Sequence, residues 1–160
     1  MTDLDQLLDA TRRHAAAPGT LPATVPPTEQ LAIVSCMDAR VDPLAVFGLH
    51  LGQAHVLRNA GARVTDDVLR SLALSTRLMA VDTVVVLAHT GCGLFGVSDD
   101  ELRRRTGAPF DFLPIADHHE ALRQDVARLV ATPYLSLRAV MGLLYDVGTK
   151  EVTLVERHQR

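Results

Sequence analysis

At 160 residues the chain has room for one domain with a proper core. A hydrophobic share of 48% with 22% charged residues is globular rather than disordered. The formal net charge of −3 excludes a basic footprint for nucleic acid or a polybasic membrane patch, and no apolar run approaches the roughly 20 residues of a bilayer span.

The start, MTDLDQLLDA, is acidic and lacks the basic-then-apolar order of a secretory leader, so a soluble, cytoplasmic protein is expected. Leu4, Leu7, Leu8, Thr11 and Ala15 fall on one helical face, which makes residues 1–17 an amphipathic helix. PGTLPATVPPT, residues 18–28, holds four of the eight prolines and cannot be regular structure. Residues 1–28 therefore read as a helix on an irregular arm, free to pack on a second subunit. Residues 29–160 read as a single α/β domain.

Within that domain, LAIVS (31–35) is a continuous apolar run, the signature of a strand buried on both faces. Asp42 and Pro43 open a brief helix that closes at Gly48. AHVLR (54–58) reads as a second strand and NAGARV as a turn, with Asn59 and Gly61 in structural roles. Thr65 caps a helix whose first turn carries Asp66 and Asp67 against the dipole. TVVVLAH (83–89) is a third strand, and Ser98 with Glu101 makes a capping box for a helix ending near Gly107. Residues 116–130 are helical by period, and residues 138–147 and 151–155 flank DVGTKE as a closing hairpin. Strand and helix alternate, which predicts an α/β fold around a mostly parallel sheet.

The segment HTGCGLFG (89–96) can be parsed in two ways. Gly91, Gly93 and Gly96 spell the dinucleotide fingerprint G-x-G-x-x-G, but the helix cap at Ser98 lies beyond the motif and no strand follows. His89 and Cys92 spell H-x-x-C, half of a metal site. A catalytic zinc takes three protein ligands, and Cys36, the only other cysteine, leaves the same edge of the sheet. Two thiolates and an imidazole would complete the set; two ordinary buried thiols beside a strand-end histidine are the alternative. After Cys36 the chain reads SCMDAR, which puts Asp38 and Arg40 next to the site. The carboxylate could ligate a metal or accept a hydrogen bond from its water, and the arginine offers a bidentate fork for it. A plain surface ion pair is the bland reading.

These segments resemble the β-class carbonic anhydrases, in particular their small bacterial branch. The likeness lies in SCMDARVDP (35–43), HVLRNAGARVTDDVLRSL (55–72) and VLAHTGCG (86–93), and extends through the TPYLSLRAVMGLLYDVGTKEV tail. It implies a parallel sheet with an antiparallel edge strand, flanked by helices, in a homodimer or a dimer of dimers. It also implies zinc on Cys36, His89 and Cys92, with Asp38 and Arg40 as the catalytic dyad. The chain has no tryptophan, so the bicarbonate-closed regulation of the family's allosteric branch is not expected in its usual form.

The reaction then expected is reversible hydration of carbon dioxide to bicarbonate and a proton, by a zinc-bound hydroxide that Asp38, held by Arg40, orients. Val41 and Phe47 are candidates for the apolar wall, and His50 and His55 for the proton shuttle. His118 and His119, about 100° apart on a helix, should share neither a face nor a metal. Hydrolysis of carbonyl sulfide or carbon disulfide on the same constellation is the nearest alternative. A non-enzymatic zinc or bicarbonate-sensing protein is a remoter one, since a structural site needs no arginine competing for Asp38.

Overall fold

The centre of the sheet is a pair of parallel strands, β1 (Leu31–Cys36) and β3 (Thr83–His89), registered from Leu31 opposite Thr83 to Ser35 opposite Leu87. A computed structural model describes residues 3–19 and 21–160. Its described residues form a five-stranded sheet in the order β2-β1-β3-β4-β5. β2 (Ala54–Asn59) and β4 (Ala139–Tyr145) flank the central pair in parallel, and β5 (Val152–Gln159) pairs antiparallel with β4. The fold is therefore the mostly parallel sheet with an antiparallel edge strand that the sequence implied.

The apolar runs reflect two buried faces. Val34, Val84, Val86 and Val140 pack against Leu69 and Leu72 of α3 (Asp66–Leu78) and Leu122, Val126 and Leu129 of α5 (His118–Ala131). Ile33, Val85, Leu87 and Leu143 point the other way, towards Val41 and the short helix α2 (Pro43–Val46). Alternation thus buries all but the first residue of β1 and of β3, each large buried apolar side chain contributing roughly 1.5–3 kcal/mol. Gly142 lets α5 approach closely: a Cβ there would lie 3.1 Å from Val126 Cγ2.

The helix boundaries follow their caps. Asp42 accepts from the amides of Leu44 and Ala45, and Thr65 from Val68. Ser98 accepts from the Glu101 amide and opens α4 (Asp99–Thr106), which Gly107 closes in the left-handed conformation. The fifth helix begins at His118 rather than residue 116, because Asp117 takes the cap position and accepts from the Glu120 amide at 2.8 Å. β5 runs on to Gln159, beyond the 151–155 expected, and pairs back to Ala139. Its outer half carries half-buried Glu156 and exposed Arg157 and Gln159, the polar content of an edge strand, which hides the strand from an apolar pattern.

The first helix, α1 (Leu4–Ala16), has no buried residue, and its leucines Leu4, Leu7 and Leu8 are 75%, 50% and 54% exposed. The arm behind it returns along the β2 entry, where the Thr28 and Glu29 amides donate to the carbonyls of Gly52 and Gln53. Among the described residues, no helix is long and apolar enough to cross a membrane.

Candidate metal centre

Cys36 is the last residue of β1, His89 the last of β3, and Cys92 lies in the turn that follows. Adjacent parallel strands ending together bring these three residues to one edge, the usual place for a ligand in an open α/β sheet. Their ligand atoms lie within 4.8 Å of one another, and all three side chains are buried. His89 Nδ1 is 2.9 Å from the Thr90 carbonyl, so Nδ1 is assigned the proton and Nε2 keeps its lone pair. Nε2 is buried and, among the described residues, has no hydrogen-bond partner. An orphan of this kind costs roughly 1–3 kcal/mol unless a ligand takes it up. Two thiols and an inward-facing imidazole fit a tetrahedral transition metal with one position left open.

Asp38 follows two residues beyond Cys36 and is gripped by Arg40. Arg40 Nε donates to Oδ1 at 2.9 Å and Nη2 donates to Oδ2 at 2.7 Å, while the Arg40 amide also donates to Oδ1 at 2.9 Å. Nη2 is anchored in turn on the Gly91 carbonyl at 2.9 Å, which ties the dyad to the His89–Cys92 turn. The Arg40 side chain and amide hold the Asp38 carboxyl far below the usual carboxylate range, and Asp38 raises the Arg40 guanidinium reciprocally. Burial pushes the Cys92 thiol up, with neighbouring Cys36 adding to the effect. A bound cation would reverse that direction, because metal ligation requires the thiolate.

The cavity over the two cysteines measures about 330 Å³ and is walled by Met37, Asp38, Ala60, Gly61, Gly93 and Leu94. Gly61 sits in a 3-10 turn (Ala60–Ala62) at φ 75°, and a Cβ on it would come within 2.9 Å of Leu94 Cδ1. Asn59 closes that turn from both sides, its Nδ2 donating to the Arg63 carbonyl and its Oδ1 accepting from the Arg63 amide. Asn59 and Gly61 are thus the structural pair expected from the sequence.

Val41 and Phe47 do not line this cavity. They pack with Ile33, Val85 and Leu87 beneath α2, because the chain turns away from the sheet edge after Asp38. The two shuttle candidates are also placed elsewhere. His55 Nδ1 pairs with Ser75 Oγ at 2.8 Å and Nε2 with the Val25 carbonyl at 3.3 Å, a packing role, and His50 is exposed before β2. His118 and His119 do part company: His119 is exposed, whereas the His118 ring stacks on Phe95 with centroids 4.7 Å apart. Burial pushes the His118 pKa down, and the nearby His89 adds to that. Nothing in the HH dipeptide distinguishes the two; only the docking of α5 does.

A family model described as carbonic anhydrase matches residues 31–128. The beta-carbonic anhydrase 1 of Mycobacterium tuberculosis is 39% identical over 141 residues, covering 84% of this chain and 86% of that protein. The chain belongs to the β-carbonic anhydrase family. Its enzyme class is carbonate dehydratase. A crystal structure of carbonic anhydrase from Streptococcus mutans superposes with a TM-score of 0.85 at 37% identity, over 98% of this chain and 99% of that one. A carbon disulfide hydrolase of Saccharolobus solfataricus is 38% identical over 80 residues, half of this chain and 39% of that protein. In sequence, the beta-carbonic anhydrase match thus spans 84% of this chain and the hydrolase match half of it.

Proposed function

We propose that the protein is a zinc-dependent carbonic anhydrase that hydrates carbon dioxide reversibly to bicarbonate and a proton. The observation that carries this reading is the convergence of Cys36, His89 and Cys92 with the unpartnered His89 Nε2 turned inward. Cys36, His89 and Cys92 would hold the zinc. Bound there, the ion would supply Lewis-acid activation of water near neutral pH. As thiolates, Cys36 and Cys92 offset the ion's charge, which leaves Asp38 a larger share in selecting and orienting that water. Arg40 keeps both Asp38 oxygens in its fork, so Asp38 stays ionised and would be kept from ligating the metal itself. Asp38 then accepts a hydrogen bond from the water and aims its lone pair at the substrate. Met37, Ala60 and Leu94 offer the uncharged substrate an apolar wall.

The rest of the molecule supports this setting. Residues 1–28 would serve as the arm and residues 29–160 as the catalytic domain. Exposed Leu4, Leu7 and Leu8 suit a homodimer or a dimer of dimers in which the arm packs on a partner subunit. The free thiols Cys36 and Cys92, both needed as metal ligands, suit a reducing cytoplasm.

Hydrolysis of carbon disulfide is the second reading, favoured by the 80-residue match. The deciding experiment measures carbon dioxide hydration beside hydrolysis of carbon disulfide and carbonyl sulfide, on one preparation with its zinc quantified. Hydration should be the dominant activity. Turnover of a sulfur substrate without hydration would overturn the assignment.

A further inference from the structure

Arg58, next to last in β2, crosses to the end of the neighbouring strand. Its Nε donates to the Cys36 carbonyl at 2.8 Å, and its Nη2 donates to the Asp38 carbonyl at 2.7 Å. One guanidinium therefore spans Met37 and joins a metal-ligating position to the dyad carboxylate's own residue. We infer that Arg58 is a positioning residue: it fixes the backbone of residues 36–38 so that the Asp38 carboxylate faces Arg40 and His89.

Apart from the Arg40 fork and its anchor on the Gly91 carbonyl, few contacts hold the segment, so such a tie matters. The last sheet bond on this side is the Met37 amide to the Asn59 carbonyl at 2.9 Å. Beyond it Met37, Ala39 and Arg40 are exposed, with Met37 at 69%, so core packing does not fix the loop. The Asp38 carbonyl takes a turn bond from the Val41 amide at 3.0 Å, and Arg58 supplies its other contact. Arg58 itself is registered opposite Ser35 and rides on the β1–β2 ladder. It thereby transfers the rigidity of the sheet to a loop that has left the sheet. Arg40 controls the carboxylate directly; Arg58 controls the backbone that carries it. A planar fork can hold two carbonyls at a fixed spacing, which a lysine's single ammonium cannot.

The inference rests on the role proposed above for Asp38, and the test separates the two. In the metal-free protein the Arg40 amide, which donates to Asp38 Oδ1, should exchange at least about tenfold faster in Arg58→Ala than in wild type, while core amides such as Val34 and Val86 keep their protection. Zinc-loaded Arg58→Ala should retain its metal and lose activity by about 10-fold or more, through kcat. In an Asp38→Asn background the same change should cost less than about twofold, since the group being positioned is gone. Arg58→Lys keeps the charge without the fork, guards against a folding failure, and should show the same pattern at smaller amplitude. Unchanged Arg40 exchange, loss of zinc from Arg58→Ala, or an equal activity loss in both backgrounds would each overturn the inference. If Asp38→Asn alone costs nothing, the reading of Asp38 fails instead, and the exchange result still decides whether Arg58 holds the loop.

Discussion

Asp38 Oδ2 stands 3.7 Å from His89 Nε2, while both carboxylate oxygens are already engaged by Arg40. That separation is too long for a direct hydrogen bond, so the imidazole leaves the carboxylate to Arg40. On the proposed reading, Asp38 would have two possible partners, Arg40 and a bound metal. Arg40→Ala should keep its zinc, because no ligand is touched, yet lose turnover by about 10- to 100-fold as Asp38 becomes free to take the metal. Steady-state hydration with metal content measured in parallel across the neutral and mildly alkaline range checks this. Wild-type activity in Arg40→Ala would show that the fork has no gating role.

Alanine at Cys36, His89 or Cys92 should remove most of the metal as well as the activity. A three-ligand site that loses one donor keeps only two, and each donor here comes from one buried cluster. Elemental analysis of the purified variants is the measurement. Full zinc occupancy in Cys92→Ala would mean that the ion binds elsewhere.

Deleting residues 1–17 should weaken self-association, because it removes the exposed leucines of α1 without disturbing the sheet. Sedimentation of the truncated and full chains at matched concentration tests the placement. Identical sedimentation and identical thermal stability would refute it.

Gly61→Ala should destabilise the protein by about 1–3 kcal/mol, from the positive φ of 75° and the approach to Leu94 Cδ1. For a chain of this size that corresponds to a Tm lowered by several degrees, about 2–4 °C per kcal/mol. Calorimetry of the zinc-loaded protein reads it directly. An unchanged Tm would mean that the turn relaxes freely.

The Asp82–Arg138 pair should make stability depend on acid. Arg138 holds the Asp82 carboxyl below its ordinary value of 3.8, chiefly through side-chain hydrogen bonds. A carboxylate lowered on folding adds stability above its unfolded pKa and loses it as pH falls through the folded one. Asp82→Asn imitates the protonated acid. The stability gap between wild type and Asp82→Asn should therefore be constant near neutrality and close below pH 3.8. Urea unfolding of both metal-free proteins over that range tests it, and a gap that persists at low pH would assign it to shape rather than charge.

Much of the fold could be read in advance because its signals are local. The apolar runs at 31–35 and 83–89 and the caps at Asp42, Thr65 and Ser98 each act within a few residues. The convergence of Cys36, His89 and Cys92 could also be read, since H-x-x-C and C-x-D-x-R each place their side chains at a strand end. What stayed hidden depends on tertiary direction. Val41 and Phe47 share a stretch with Arg40, yet the turn after Asp38 sends them under α2. Arg58 looked like any residue of an edge strand, because the carbonyls it binds lie 20 and 22 positions away in the chain. The outer half of β5 carried too little apolar signal to announce itself.

The cluster joins parts of the chain that fold at a distance. His89 and Cys92 are near neighbours, but Cys36 and His89 lie 53 positions apart, on strands whose pairing must form before the three donors meet. An ion held by all three would act as a cross-link as well as a reagent, narrowing the unfolded ensemble much as a disulfide does. By chain-entropy reasoning, closing a loop of that length is worth on the order of 4 kcal/mol. Chelation would then loosen the whole molecule, and a cell short of the metal would hold an idle enzyme that is also a more easily degraded one.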